Sequence, residues 1–173
     1  NSGGYGSVSP DGRMLVYQKS FAREGRLMQG LFLFDMNRGE ERQLTTGWDI
    51  WAEFAPDGRS VNFIRWGEDE AVATLRSVST EGGDPVHLTK FLAITATMSP
   101  DGRSIAIARW NGANTQIVII PAVGGEAFKT FDLDFAIQDR FGKRNIRWTA
   151  DGRGIDFIRD VQNVSNIWRL PIE

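Results

Sequence analysis

The five-residue stretch "SPDGR" at Ser9–Arg13 returns three more times along the chain in nearly the same form. The later copies are "APDGR" at Ala55–Arg59, "SPDGR" at Ser99–Arg103 and "TADGR" at Thr149–Arg153. Their Asp-Gly-Arg triplets begin at residues 11, 57, 101 and 151, so successive copies are 46, 44 and 50 residues apart. Repeats of roughly 40–50 residues that carry turn signals are typical of propellers and solenoids. The spacing therefore predicts four copies of one structural unit.

The residue types of this stretch predict a tight hairpin turn. Proline presets φ near about −65° for the first corner of a type I turn, and aspartate suits the second corner. Glycine then adopts the left-handed conformation that rejoins the two strands. The fourth copy has Ala150 in place of proline, which a type I turn also accepts. We expect the arginine after each turn to contribute solubility and a local hydrogen bond: Arg13, Arg59, Arg103 and Arg153.

Strand-like segments flank every turn, and a second series of strands follows. "YGSV", "WAEF", "TATM" and "NIRW" precede the turns, and "MLVYQK", "SVNFIR", "SIAIAR" and "GIDFIR" follow them. Third strands are predicted in "LFLFDMNRG" (31–39), "LRSVSTEGG" (75–83) and "IVIIPAVGG" (117–125), and fourth strands end in "RQLTT", "VHLTK" and "FKTFD". Four antiparallel strands in roughly 45 residues make one blade of a β-propeller. The predicted fold is therefore an all-β propeller of four-stranded antiparallel blades.

The repeats divide the chain into blades of a single propeller segment, residues 1–173. The predicted blades span about 1–46, 47–91, 92–134 and 135–173. "IWRLPIE" (167–173) matches the third strand "IVIIPAV" (117–123), so the fourth blade is expected to lack its outer strand and the chain to contain 15 strands. We expect part of a larger propeller, or a partial ring completed by self-association with another chain. A closed four-bladed ring remains the alternative.

The repeat resembles a known family. "SPDGR" followed by alternating hydrophobic and aromatic residues, with "LT" downstream, is similar to the TolB-type Pro-Asp propeller repeat over essentially the whole chain. "VQNVSNIWRLPIE" (161–173) resembles blade endings of multi-domain bacterial proteins in which a propeller follows a kinase or winged-helix domain. The resemblance implies a periplasmic or otherwise extracytoplasmic bacterial setting. It does not imply one activity, because function resides in sites carried by the fold.

Composition excludes several classes of function. The net charge is −2, from 20 basic and 22 acidic residues, which is unlike the basic footprint of a nucleic-acid-binding protein. No apolar run approaches the ~20 residues of a membrane span. Cysteine is absent and histidine occurs once, at His87, so thiolate chemistry and a multi-histidine metal site are not expected. The acidic run Glu68–Glu70 lacks the alternating ligands of a calcium loop and is interpreted as a solvated loop. No cofactor is predicted.

One repeated feature goes beyond the turn and supplies the candidate binding residues. A cation stands seven residues after each turn glycine: Lys19, Arg65, Arg109 and Arg159. In blades 2 and 3 a tryptophan follows it, and the blade-to-blade connections "GWDIW" (47–51) and "FAIQDRFGKR" (135–144) lie on the same predicted face. Tryptophan and arginine dominate binding hot spots. The predicted partner-binding residues are Trp48, Asp49, Trp51, Arg65, Trp66, Arg109, Trp110 and Arg140. The alternative is structural: arginines bridge blades through Asp or Glu, and tryptophans pack between sheets.

These observations predict a non-catalytic binding or scaffolding module for a protein or peptide partner. They predict no nucleic-acid partner and no membrane insertion. Two alternatives stay open. The propeller could gate a hydrolase or peptidase domain outside this chain, or it could be the sensor tail of a membrane kinase or transcription regulator.

Overall fold

The strands of the first two repeats form two antiparallel four-stranded sheets. A computed structural model describes residues 6–67, 73–137, 146–162 and 164–172. Each sheet pairs its strands in chain order. The first contains β1 (Gly6–Val8), β2 (Met14–Arg23), β3 (Arg26–Asp35) and β4 (Glu40–Gln43), and the second contains β5 (Trp48–Phe54), β6 (Ser60–Trp66), β7 (Thr74–Ser79) and β8 (Val86–His87).

The third and fourth repeats form sheets of the same design. The third sheet contains β9 (Thr95–Met98), β10 (Ser104–Trp110), β11 (Thr115–Pro121) and β12 (Lys129–Asp132). Within the described residues the fourth has three strands: β13 (Ile146–Trp148), β14 (Gly154–Val161) and β15 (Val164–Pro171). The prediction of all-β antiparallel blades is confirmed, while the absence of an outer strand from the fourth blade stays a prediction. The chain forms two compact units, Asn1–Phe91 and Leu92–Glu173, and the blade limits drawn from the sequence stay predictions.

The repeated turn has the predicted geometry in all four copies. Each turn glycine has φ between 70° and 73°, and its N–H donates to the carbonyl three residues earlier at 2.9 Å: Gly12, Gly58, Gly102 and Gly152. In the first copy the Ser9 hydroxyl also donates to Asp11 at 2.6 Å and accepts the Met14 N–H at 2.9 Å. Ser99 and Thr149 repeat both contacts in blades 3 and 4. Blade 2 has Ala55 at this position and so lacks the hydroxyl.

The Leu-Thr pair follows the fourth strand and fastens its end to the third strand. β4 ends at Gln43 and β8 ends at His87, one residue before each Leu-Thr pair. The Thr45 hydroxyl accepts the Leu31 N–H at 3.0 Å, and the Thr89 hydroxyl accepts the Leu75 N–H at 3.0 Å. Because these N–H groups are buried, leaving them unpaired would destabilise the blade. The recurring threonine therefore has a structural explanation.

Each compact unit has its own core between two neighbouring sheets. In the first unit, Val16 and Leu33 of blade 1 pack with Phe54 and Phe63 of blade 2. In the second, residues of β10 and β11 pack with Trp148 and other residues of blade 4. The Trp148 indole N–H donates to the Thr97 carbonyl at 3.1 Å, which satisfies its polar atom inside the core.

A repeated side-chain contact joins neighbouring blades within each unit. Arg42, which pairs with Leu33 at the edge of blade 1, donates to the Thr80 carbonyl of blade 2. Lys129 occupies the equivalent position opposite Ile119 and donates to the Ile172 carbonyl of blade 4. In both cases a cation on an outer strand binds the carbonyl that follows the third strand of the next blade.

Candidate functional site

The predicted binding residues of blade 2 lie at one rim of the sheet, where β6 ends beside the start of β5. In the strand register Asp49 stands opposite Arg65, and Trp48 stands opposite Trp66. Because side chains alternate along a strand, the charged pair and the tryptophan pair lie on opposite faces of this sheet. The structure therefore brings four of the predicted residues together but assigns them two different environments.

Within the charged pair, Asp49 is buried and Arg65 is half-buried, and both make hydrogen bonds. Asp49 is 0 % exposed, and its carboxylate accepts Arg65 Nε at 2.6 Å and Arg65 Nη2 at 2.7 Å. The same carboxylate accepts the Thr45 hydroxyl, and Arg65 also donates to the Thr46 carbonyl at 3.1 Å. Gly47 has φ of 148°, and a Cβ there would come within 2.8 Å of Arg65 Nε, so a side chain at this position would be strained and would disturb Arg65. This geometry matches the structural alternative for Arg65: it fixes the connection between blades 1 and 2.

The tryptophan pair is open to solvent. Trp48 is 61 % exposed and Trp66 is 49 % exposed, although each is among the largest apolar side chains. Cross-strand neighbours in register lie within contact distance of large side chains. The pair therefore presents two exposed aromatic side chains side by side at the ends of neighbouring strands.

Trp51 has an unusual backbone conformation. Its φ is 54°, and the β5–β6 register shifts between Ile50 and Glu53, so two residues of β5 oppose one of β6. This is a β-bulge, which redirects the side chains around it. A bulky residue at positive φ is strained, and such strain concentrates at functional positions. Trp51 is half-buried.

The remaining predicted residues are distributed differently. Arg109 donates from Nε to the Gln116 side chain at 2.9 Å, and the adjacent Trp110 is exposed. Arg140 lies outside the described residues, as does the acidic run Glu68–Glu70.

The repeated cation has a different partner in each blade. Lys19 pairs with Glu41 on β4 and lies 4.9 Å from the ring centroid of Phe32. Arg159 of blade 4 lies 3.6 Å from Asp134 and contacts two aromatic rings. The sequence pattern identified Arg159 as a repeated cation but did not select it as a site residue. Its aromatic partners come from distant segments, which no local motif reveals.

Within the second unit, a groove of about 500 Å³ lies beside the turns of blades 3 and 4. Its lining includes Asp101 and Asp151 at the turns, Ile119 of β11, Phe128 just before β12 and Ile172 just after β15. Hydrogen bonds from Ser99 and Thr149 hold the pKa values of these two carboxyl groups below their ordinary value.

The described ranges lack two further features. No group of three or more His, Cys, Asp or Glu side chains in these ranges is placed to hold a metal ion. The same ranges contain no helix of the length and hydrophobicity needed to cross a membrane.

Comparison with known proteins supports the fold. No protein-family model matches the chain, and no curated protein matches it. TolB from Acinetobacter baumannii superimposes with a TM-score of 0.75 at 20% identity, over 97% of this chain and 40% of that one. The β-propeller domain of the Trilobed protease from Pyrococcus furiosus gives 0.66 at 15% identity, over 99% and 57%. Pyrococcus horikoshii acylaminoacyl peptidase gives 0.66 at 13% identity, over 96% and 30%.

These similarities define the class of protein. The chain has a β-propeller fold like those of TolB and of peptidase propellers, which confirms the predicted fold class. It spans less than two thirds of each of the three structures. At these identities the likeness concerns the fold alone.

Proposed function

We propose that this chain is a non-catalytic binding module for a protein or peptide partner, and that the Trp48–Trp66 pair is its main contact surface. The observation that supports the proposal is the exposure of two tryptophans in register at the ends of neighbouring strands. Single exposed apolar residues are common on protein surfaces, whereas paired large aromatic side chains are typical of interaction sites.

The surroundings of the pair suit binding. Behind it, the buried contacts of Asp49 with Arg65 and Thr45 hold the end of β6 and the connection into β5. A contact surface on a rigid support loses little conformational entropy when a partner binds. Trp51, at the bulge three residues beyond Trp48, belongs to the same strand and is the next residue to test.

The proposal includes no catalytic step. The single histidine of the sequence, His87, lies on β8, the outermost strand of blade 2. The proposed setting is extracytoplasmic, as the resemblance to the TolB-type repeat implies. Neither a nucleic-acid partner nor membrane insertion is part of the proposal, since the charge balance of the sequence favours neither.

A peptide selection tests the proposal. Peptides are selected from a random display library against the wild-type chain, and their affinities are measured for Trp48→Ala and Trp66→Ala. Val123→Ala is the matched control, because Val123 is an exposed apolar residue at a turn of the other unit. We expect the tryptophan variants to lose affinity while the control retains it. Equal binding to all three variants would overturn the proposed surface.

A second candidate function is supported by the peptidase comparisons. Two of the similar structures are a protease propeller domain and an acylaminoacyl peptidase. Under this proposal the chain is the propeller portion of a longer hydrolase. A fluorophosphonate probe, which labels active serine hydrolases, would react with the full-length protein if this is so. Absence of labelling on folded full-length protein would rule out a serine peptidase.

A further inference from the structure

A second cluster, in blade 4, places an arginine within cation–π distance of two aromatic rings. The Arg159 guanidinium carbon lies 4.3 Å from the centroid of the Phe135 ring and 5.2 Å from that of Trp168. Phe135 is itself stacked on Phe157, with ring centroids 5.6 Å apart and planes 29° apart. Contact with the two rings therefore restricts the orientation of the guanidinium, so its N–H donors point in a defined direction.

The N–H donors of this guanidinium have few acceptors among the described residues. Within the described residues it forms no hydrogen bond, and its ion pair with Asp134 is long, at 3.6 Å. Asp134 is 81% exposed, and an ion pair so open to water contributes little. Arg65 stands at the equivalent repeat position, yet two of its nitrogens bind a buried carboxylate. The arginine at this repeat position therefore stabilises the structure in blade 2, whereas in blade 4 its N–H donors remain available to a ligand.

Exposed apolar side chains flank Arg159 along its own face of the hairpin, with Asn166 directly opposite it. Two residues from Arg159 towards the β14–β15 turn, Val161 pairs with Val164. Trp168 lies on β15, on the side of Arg159 that points away from this turn. All three are exposed. Cross-strand partners share a face, and alternate residues along each strand return to it. The hairpin thus presents a strip in which one cation is flanked by apolar side chains.

We propose that Arg159 binds the carboxylate of an acidic side chain in a protein or peptide partner whose flanking apolar side chains contact Val161, Val164 and Trp168. The inference rests on the proposed binding function, but it concerns the second compact unit rather than the Trp48–Trp66 pair. A peptide suits this strip better than a free phosphate does. A phosphate would leave the apolar residues uncovered, and Asp134 would repel a dianion more strongly than a single carboxylate.

Peptide titrations followed by NMR test the ligand class. The probes are the capped pentapeptide Gly-Leu-Glu-Leu-Gly, its Gln counterpart and inorganic phosphate, each added to the isotope-labelled full chain. We expect the Glu peptide to shift the Arg159 Nε–H and Trp168 indole N–H signals saturably, and to bind about tenfold more tightly than the Gln peptide. Equal affinity of the two peptides, or tighter binding of phosphate than of the Glu peptide, would overturn the assignment.

Three variants locate the contact. Arg159→Met keeps the packing stem, removes the donors and should abolish the preference for Glu over Gln. Arg169→Met removes one charge from the opposite face of the same hairpin, where Arg169 pairs with Asp156 at 2.7 Å, and should leave the preference unchanged. Asp134→Asn removes the competing acid and should tighten Glu-peptide binding about two- to threefold.

The variants also separate this inference from the proposed function. Unchanged binding in Asp134→Asn together with retained preference in Arg159→Met would refute a role for Arg159. The Trp66→Ala variant should bind the Glu peptide normally. A negative result for Arg159 would therefore not contradict the proposed Trp48–Trp66 surface. A negative result for the Trp48–Trp66 surface would likewise not contradict the role proposed for Arg159.

Discussion

Arg65 and Asp49 form a two-point ion pair in which the carboxylate is wholly withdrawn from solvent and the guanidinium largely so. The two nitrogen–oxygen distances are 2.6 and 2.7 Å, and Asp49 also accepts the Thr45 hydroxyl. Thr45 lies in the connection after β4 of blade 1, and Arg65 lies near the end of β6 of blade 2, so one carboxylate connects two blades. An arginine at a position predicted to bind a ligand thus contributes to the framework between two blades, and its role in binding stays a prediction.

This arrangement predicts that Arg65→Met is strongly destabilising. The substitution would leave Asp49 buried without its counter-charge, which costs about 3 kcal/mol or more. Arg169→Met is the matched control, because its ion pair with Asp156 lies at the surface and its loss should cost much less stability. Denaturant unfolding of both variants measures the difference. Similar losses for the two would contradict the special role of Asp49.

The tryptophan pair should behave in the opposite way. Trp48→Ala and Trp66→Ala remove exposed side chains, so the melting temperature should barely change. Affinity for a selected peptide should fall by about 1–2 kcal/mol if these residues are a binding hot spot. Both quantities are measured on the same preparations. A lower melting temperature with unchanged affinity would identify the pair as packing residues.

The missing hydroxyl in the second turn predicts a stabilising substitution. Ala55→Ser should add hydrogen bonds to Asp57 and to the Ser60 N–H, as Ser9 and Ser99 do in their own turns. A gain of about 0.5–1.5 kcal/mol is expected from thermal or denaturant unfolding. Ser99→Ala is the reverse experiment and should lose a similar amount. A neutral or destabilising Ala55→Ser would show that the second turn differs from the others.

The turn aspartates predict a loss of stability in acid. Hydrogen bonds from Ser9, Ser99 and Thr149 lower the pKa values of Asp11, Asp101 and Asp151 from the ordinary 3.8. A lowered pKa in the folded state stabilises the protein above the unfolded-state pKa, and this contribution disappears as the pH falls through the folded-state values. Stability should therefore decline below about pH 4. NMR titration of the Asp101 carboxyl should show a higher pKa in Ser99→Ala, and an unchanged value would contradict the mechanism.

The conformation of the turn glycine predicts unequal costs within one turn. Gly58 has φ of 70°, which a β-branched residue resists, so Gly58→Val should cost about 1–3 kcal/mol. Pro56→Ala should be milder, because the fourth turn has Ala150 and keeps the same geometry. Equal losses of unfolding free energy would show that the glycine conformation is not the limiting feature.

Local sequence was enough to predict the turns, the strands and the number of repeats. Turn type depends on the φ preferences of neighbouring residues such as Pro10 and Gly12, and strand patterns repeat every two residues. These are short-range properties, so a single chain displays them. The recurring Leu-Thr pair was also recognisable in the sequence. Its structural role became clear only from the hydrogen bond between Thr45 and the third strand.

Tertiary structure alone decided what the repeated side chains do. Trp110 and Trp148 each end a strand after an arginine, yet Trp110 is exposed while Trp148 is buried and hydrogen-bonded to Thr97. The repeated cations likewise meet a different group in each blade, whether a buried acid at Arg65 or aromatic rings at Arg159. Those partners lie on other strands and connections, at sequence distances that vary from blade to blade. The backbone of a blade follows from local conformational preferences, whereas burial and charge pairing depend on which distant residues the packed sheets bring together.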